Sequence, residues 1–203
     1  MSPETSPSAA PHWPPTNDPP NPGHPYLSTA ESLVRNIPDW PKPGIQFKDI
    51  TPLLAHPMAL RDAIEALAAP FRNVGIDLVL GTEARGFLLA PALALSLNAG
   101  VVLARKPGKL PWRTLHEEYA LEYGTDALEI HEDAVLPGQK VLLVDDLLAT
   151  GGTILAASRL VQRAGGEIVG YGFLIELGFL QGRTRLNAQI PVKSLIRYES
   201  ERE

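Results

Sequence analysis

The stretch Val141-Leu142-Leu143-Val144-Asp145-Asp146-Leu147-Leu148-Ala149-Thr150-Gly151-Gly152-Thr153 holds the densest chemistry in the chain. Four apolar residues, Val141 to Val144, read as a buried strand. Two carboxylates follow at its C-terminal end, where open α/β sheets place their ligands. A turn rich in hydroxyls and glycine then leads into a helix. Glycines let backbone N–H groups approach an anion closely, and a helix N-terminus adds unsatisfied donors and partial positive charge. Thr150 and Thr153 add two hydroxyl donors. The turn is a phosphate cradle, yet carboxylates beside it would repel a bare anion. A sugar phosphate removes the conflict: the 5′-phosphate sits in Ala149, Thr150, Gly151, Gly152 and Thr153, and the ribose 2′- and 3′-hydroxyls meet Asp145 and Asp146. A helix cap needs one acidic or hydroxyl residue, not such a run. Gly81-x4-Gly86 has P-loop spacing but continues with Phe87-Leu88, so the phosphate-binding lysine of that motif is missing.

Other residue types narrow the chemistry. Arg85 follows a strand end and offers a forked donor set for an anion. Arg105, Lys106 and Lys109 form a basic loop that, read alone, is either an anion site or a solvated turn. The chain has no cysteine, which excludes disulfides, thiolate zinc sites and cysteine nucleophiles. None of the five histidines has metal-ligand spacing. With 18 Lys and Arg against 23 Asp and Glu, the net charge of −5 argues against a broad nucleic-acid footprint. No apolar run approaches the roughly 20 residues that a membrane span needs. The first residues lack a basic region followed by an apolar stretch. A soluble, cytoplasmic protein is expected, with no nucleic-acid or membrane partner.

These residues need a scaffold, and the sequence indicates one. Residues 1–26 carry nine of the 20 prolines, interleaved with Ser, Thr, Asn and Gly, and have almost nothing to bury. They read as a disordered tail. The globular part is expected over residues 27–203. Ser28-x-x-Glu31 reads as a capping box, and Ala30, Leu33, Val34 and Ile37 follow at helical spacing. Pro and Gly keep the segment from Pro41 to Asp49 irregular. A second helix after His56-Pro57 shows the stripe Leu60, Ala63, Ile64, Leu67, Ala68. Beyond Gly75 the chain alternates. Strands are expected at 78–80, 101–104, 140–144 and 168–177. Helices are expected at 87–97 and 154–164. A hairpin of 119–123 and 127–131 should turn at Gly124-Thr125. Alternation of this kind predicts an α/β fold, a mostly parallel sheet with helices on both faces.

The run from Asp145 to Thr153 resembles the phosphoribosyl-diphosphate motif of the type I phosphoribosyltransferase family. Pro41–Thr51, Gly81–Phe87, Arg105–Pro111 and Glu118–His131 resemble its adenine phosphoribosyltransferase branch, and the similarity runs from about Leu33 to Tyr198. The resemblance implies a core parallel sheet with a small N-terminal hood at about residues 27–56. It also implies a homodimer and Mg²⁺ carried by the diphosphate substrate, with no direct protein ligand. The implied reaction is purine salvage, in which adenine and phosphoribosyl diphosphate give AMP and diphosphate. By the same resemblance Arg85, Lys106 and Lys109 bind diphosphate, with one loop reaching across the dimer interface. Phe47 and Leu147 sandwich adenine, while the backbone of Gln46, Phe47 and Lys48 reads its edge. Gln46 stands where an apolar residue is common and Lys48 where arginine is common. Asp145 and Asp146 are catalytic, and Glu122 takes a purine ring proton once the loop before it has closed. A regulator on the same fold would tend to lose these carboxylates or gain a basic face. This chain keeps both and is acidic.

Overall fold

The computed structural model describes residues 27–121 and 124–201, so the Pro-rich tail, Glu122 and Tyr123 lie outside the described residues. The chain opens with helix α1 (Leu27–Ser32), then strands β1 (Arg35–Ile37) and β2 (Phe47–Asp49), which pair antiparallel as a small sheet of their own. Two sequence expectations are corrected here. Ile37, at helical spacing from Val34, belongs to β1, and the end of the Pro41–Asp49 segment is strand. Ile37 pairs with Phe47 and Arg35 with Asp49. This pairing joins residues ten or more apart, which helical periodicity cannot register.

Helix α2 (Thr51–Ala55) leads directly into α3 (Pro57–Ala68). His56 caps α3 by accepting from the Ala59 N–H through Nδ1 at 3.2 Å, and Pro57 sits at the first helical position, where its missing N–H costs nothing. The alternating part follows as β3 (Leu78–Thr82), α4 (Gly86–Leu97), β4 (Gly100–Ala104), β5 (Thr114–Leu121), β6 (Gly124–His131), β7 (Lys140–Leu148), α5 (Gly152–Arg163), β8 (Glu167–Leu177) and β9 (Val192–Tyr198). Short 3₁₀ turns cover Gly178–Leu180 and Gly182–Arg185.

The central sheet has the order β4-β3-β7-β8-β9, and every neighbouring pair in it is parallel. β7 lies in the middle and is apolar on both faces, as a covered parallel strand must be. Strand alternation sends Leu142 and Val144 into the core under α3 and α4, with Leu67, Phe71, Leu89 and Leu93. Leu143 joins the opposite core under α5, with Leu160, Val161 and Phe173. The hairpin β5–β6 is a separate two-stranded sheet, paired as far as Leu121 with Gly124. Gly124 and Thr125 are therefore strand rather than turn, and Thr114–Glu118, for which no element was expected, begin β5. No helix among the described residues is long and apolar enough to cross a membrane.

Phe71 is fully buried, and its ring packs against Gly170 of β8, where a Cβ would run into Cε1 and Cζ. Overpacking a well-filled core typically costs about 1–3 kcal/mol. Gly170→Ala should lower stability in urea by about that amount. Unchanged stability would mean that the Phe71 ring moves aside at no cost.

Candidate functional site

The site lies at the carboxyl edge of the sheet, where β3, β7 and β8 end at Thr82, Leu148 and Leu177. β7 extends past Val144, so Asp145 and Asp146 belong to the strand itself instead of following it. Beyond Leu148 the chain turns through Ala149, Thr150 and Gly151. Gly151 has φ +81, a left-handed conformation that suits glycine, and it starts α5. Asp145, Leu147, Leu148 and the residues from Ala149 to Ile154 line a small hollow of about 60 Å³ at that helix start. These are the residues that the sequence reading places around a phosphate, and the hollow they line is termed the cradle.

The two carboxylates have different surroundings. Asp146 is buried and bonded by Arg85 Nε. Asp145 accepts from the Asp146 N–H at 2.9 Å. Gly86, the first residue of α4, approaches Asp145 so closely that a Cβ there would lie 3.0 Å from Oδ1. Burial, with the Asp146 charge second, pushes the Asp145 carboxyl up to about 8, against the pull of the Thr82 hydroxyl and the Asp146 N–H.

A second, apolar cleft of about 290 Å³ adjoins the cradle. Gln46, Phe47, Lys48 and Leu147, the residues assigned to the base by resemblance, all line it together with Ala149 and Thr150. Phe47 is held by an edge contact with Trp40, ring centroids 4.4 Å apart, and the Arg85 guanidinium lies 5.2 Å from its ring centroid. The Lys48 ammonium is placed over the Tyr198 ring at 3.7 Å. Ile45, Leu177, Phe179 and Leu180 complete the apolar wall, and Glu201 stands at the rim. Sequence reasoning missed these residues. Their one signal was the C-terminal end of the long strand 168–177, beside which β7 ends.

The basic loop is tied down. Arg105 Nε and the Lys106 N–H bond Glu83 Oε2 at 3.3 and 3.0 Å. The Lys106 backbone bond, ahead of burial, dominates at Glu83 and holds its carboxyl below the usual range. Lys106 Nζ is bonded to Asp126 and lies 3.2 Å from the Tyr119 hydroxyl. Burial works against its charge, and those hydrogen bonds outweigh it, so its pKa is raised. The Tyr119 hydroxyl in turn accepts from Thr153 Oγ1 at 3.4 Å. Lys109 is exposed, with its carbonyl held by Arg105. Arg85 meets Asp146, whereas Lys106 points to the hairpin. Glu122 lies outside the described residues. Among the described residues, no group of three or more His, Asp or Glu is arranged to hold a metal ion.

Known proteins resemble this chain in sequence and in fold. Residues 49–199 match the phosphoribosyl transferase domain family. The chain is 58% identical over 163 residues to an adenine phosphoribosyltransferase of Myxococcus xanthus (strain DK1622), covering 80% of this chain and 89% of that one. A solved structure of adenine phosphoribosyltransferase from Rhodothermus marinus DSM 4252 matches with a TM-score of 0.82 and 57% identity, over 85% of this chain and 98% of that one. The Saccharomyces cerevisiae enzyme, solved with adenine and an imino-altritol bisphosphate, matches with a TM-score of 0.79 and 40% identity, over 84% and 98%.

The Asp145 environment has a consequence for pH. Its folded pKa lies above the ordinary value of 3.8, so the unfolded chain releases this proton first. The contribution to stability is complete below about pH 4 and fades as pH rises toward 8. Asp145→Asn removes the charge and should therefore gain melting temperature relative to the native protein as pH rises from 4 to 8, with a plateau above. A difference that is constant across this range would contradict the burial assigned to Asp145.

Proposed function

From the premise that the chain belongs to the adenine phosphoribosyltransferases of the type I family, we propose how its own residues divide the work. The reaction joins adenine to phosphoribosyl diphosphate and yields AMP and diphosphate, a step of purine salvage. One observation carries the assignment: the cradle and the apolar cleft share Leu147, Ala149 and Thr150 as a common wall. A nucleoside monophosphate, charged at one end and aromatic at the other, fits across that wall.

The 5′-phosphate is held by the N–H groups and hydroxyls of Ala149–Thr153 and by the start of α5. The ribose hydroxyls meet Asp145 and Asp146. The base lies between Phe47 and Leu147, with the backbone of Gln46–Lys48 along its edge. A neutral purine offers no charge to grip, so stacking and backbone hydrogen bonds suit it. Lys48 has its ammonium over Tyr198, which leaves the edge reading to the main chain. Arg85, Lys106 and Lys109 face the diphosphate. For Lys106 this requires exchange of Asp126 and Tyr119 for phosphate oxygens.

In the reaction the bond from the anomeric carbon to the diphosphate oxygen breaks, and the electron pair leaves with diphosphate. Arg85 and the lysines stabilise that charge, while Asp145 and Asp146 face the cationic sugar. The purine nitrogen attacks the same carbon and gives up its ring proton to Glu122. The diphosphate, rather than a cluster of protein side chains, would carry Mg²⁺, and the ion would supply partial neutralisation of the leaving group's charge. The oxygen-rich edge of the site suits such an ion, which keeps most of its ligands from substrate and water. The protein acts as a homodimer. Leu88 and Leu95 on α4, with Val101 and Leu103 on the edge strand β4, are exposed apolar residues that a second copy would cover. Lys109, on the loop that follows β4, then reaches the neighbouring site.

Single-turnover rates with adenine test this division. Asp146→Asn should slow the chemical step about a hundredfold, and Glu122→Gln by about 10² to 10⁴. Diphosphate-side binding should stay near native in Glu122→Gln. A native chemical step in either variant would remove that residue from its assigned role.

A further inference from the structure

Three consecutive residues of the cradle are gripped from behind by a segment that no step of the reaction uses. Gly182 lies against Ala149, where a Cβ would fall well inside van der Waals contact with the Ala149 carbonyl oxygen and 3.0 Å from the Gly151 nitrogen. The fit is reciprocal, since a Cβ on Gly151 would lie 2.9 Å from the Gly182 oxygen. Gly182 is buried and is not among the left-handed glycines, so its missing side chain serves this approach and not a turn. Arg185 bonds the remaining loop residue, donating from a guanidinium nitrogen to the Thr150 carbonyl at 3.0 Å.

The segment is itself locked from the far side. Arg183 forks onto Glu176, with Nε to Oε1 at 2.9 Å and a second bond to Oε2. Ser194 donates to Oε2 at 2.6 Å, and Arg183 also bonds the Val192 carbonyl at 3.1 Å. Glu176 is 2% exposed. Burial works against its charge, but the Arg183 fork and Ser194 hold its carboxyl below the usual range. The pair ties the 3₁₀ turn of Gly182–Arg185 to β8 and β9, and from there the turn presses on Ala149, Thr150 and Gly151.

We propose that Gly182, Arg183 and Arg185 are positioning residues that brace the phosphate loop, fixing its N–H groups for the 5′-phosphate of phosphoribosyl diphosphate. This rests on the reading of Ala149–Thr153 as the phosphate site. The brace acts on phosphate binding and not on bond breaking, because none of the three residues lines the cradle or the base cleft. Arg183 acts through its fork, so lysine, which keeps the charge but loses the planar donor pair, replaces it only in part.

Calorimetric titration with ribose 5-phosphate, beside steady-state kinetics, tests the brace. Gly182→Ala should weaken ribose 5-phosphate and raise KM for phosphoribosyl diphosphate about tenfold, with kcat and KM for adenine within about twofold of native. Arg185→Ala, at an exposed position where folding is not at risk, should weaken ribose 5-phosphate about threefold in the same pattern. Arg183→Lys should fall between native and Arg183→Ala. Native affinity in Gly182→Ala and Arg185→Ala, or an equal rise in KM for adenine, would overturn the brace while leaving the phosphate site standing. Failure of the native protein to bind ribose 5-phosphate would instead overturn the phosphate site, and the brace with it.

Discussion

Neighbouring carboxylates repel, and at the end of a central parallel strand they cannot both turn to open water. Asp145 and Asp146 are placed there by β7, whose apolar residues anchor it between two cores. The site is fitted to that conflict. Arg85 comes from the turn after β3 and takes Asp146. Gly86 follows it directly and lets α4 close on Asp145. Asp145 is in none of the ion pairs among the described residues, and burial, with the Asp146 charge second, raises its carboxyl. A ligand that brings hydroxyls to these oxygens relieves the arrangement, and a pentose phosphate does so while its anionic group stays one loop away. On the proposed reading Asp146 faces the sugar, where its negative charge would favour a cationic transition state over a neutral ground state.

The second constraint is that a charged and an apolar subsite must lie side by side. Leu147 achieves this from the sequence outward: it is the next residue after Asp146, and it lines both hollows. The opposite wall comes from a distant stretch. Leu177, Phe179 and Leu180 line the base cleft, and the residues just beyond them lock behind the phosphate loop. One short stretch after β8 thus serves both halves of the site.

What could be read from the sequence was whatever is local. The β7 strand, its two carboxylates, the glycine turn and α5 follow one another without interruption, so spacing alone gave the cradle. Helices α3 and α4 showed as apolar stripes or runs. What escaped was non-local. Ile37 fits a helical stripe with Val34, and only its pairing with Phe47 makes it strand. Val192–Tyr198 mixes Lys193, Ser194 and Arg197 into an edge strand, where Ser194 and Arg197 serve Glu176, so no clean alternation marks it. Gly182 looks like any loop glycine until Ala149 is placed against it. The base-cleft assignments came from family resemblance, because Gln46-Phe47-Lys48 carries no pattern that names a purine.

The central claim is that one ligand spans the cradle and the cleft across Leu147. A crystal structure of this protein with AMP measures that most directly. The phosphate should lie within hydrogen-bond distance of the Ala149–Thr153 backbone, the ribose hydroxyls on Asp145 and Asp146, and the purine between Phe47 and Leu147. Density that put the phosphate on Arg105 and Lys109, or the purine outside the Phe47–Leu147 cleft, would contradict it.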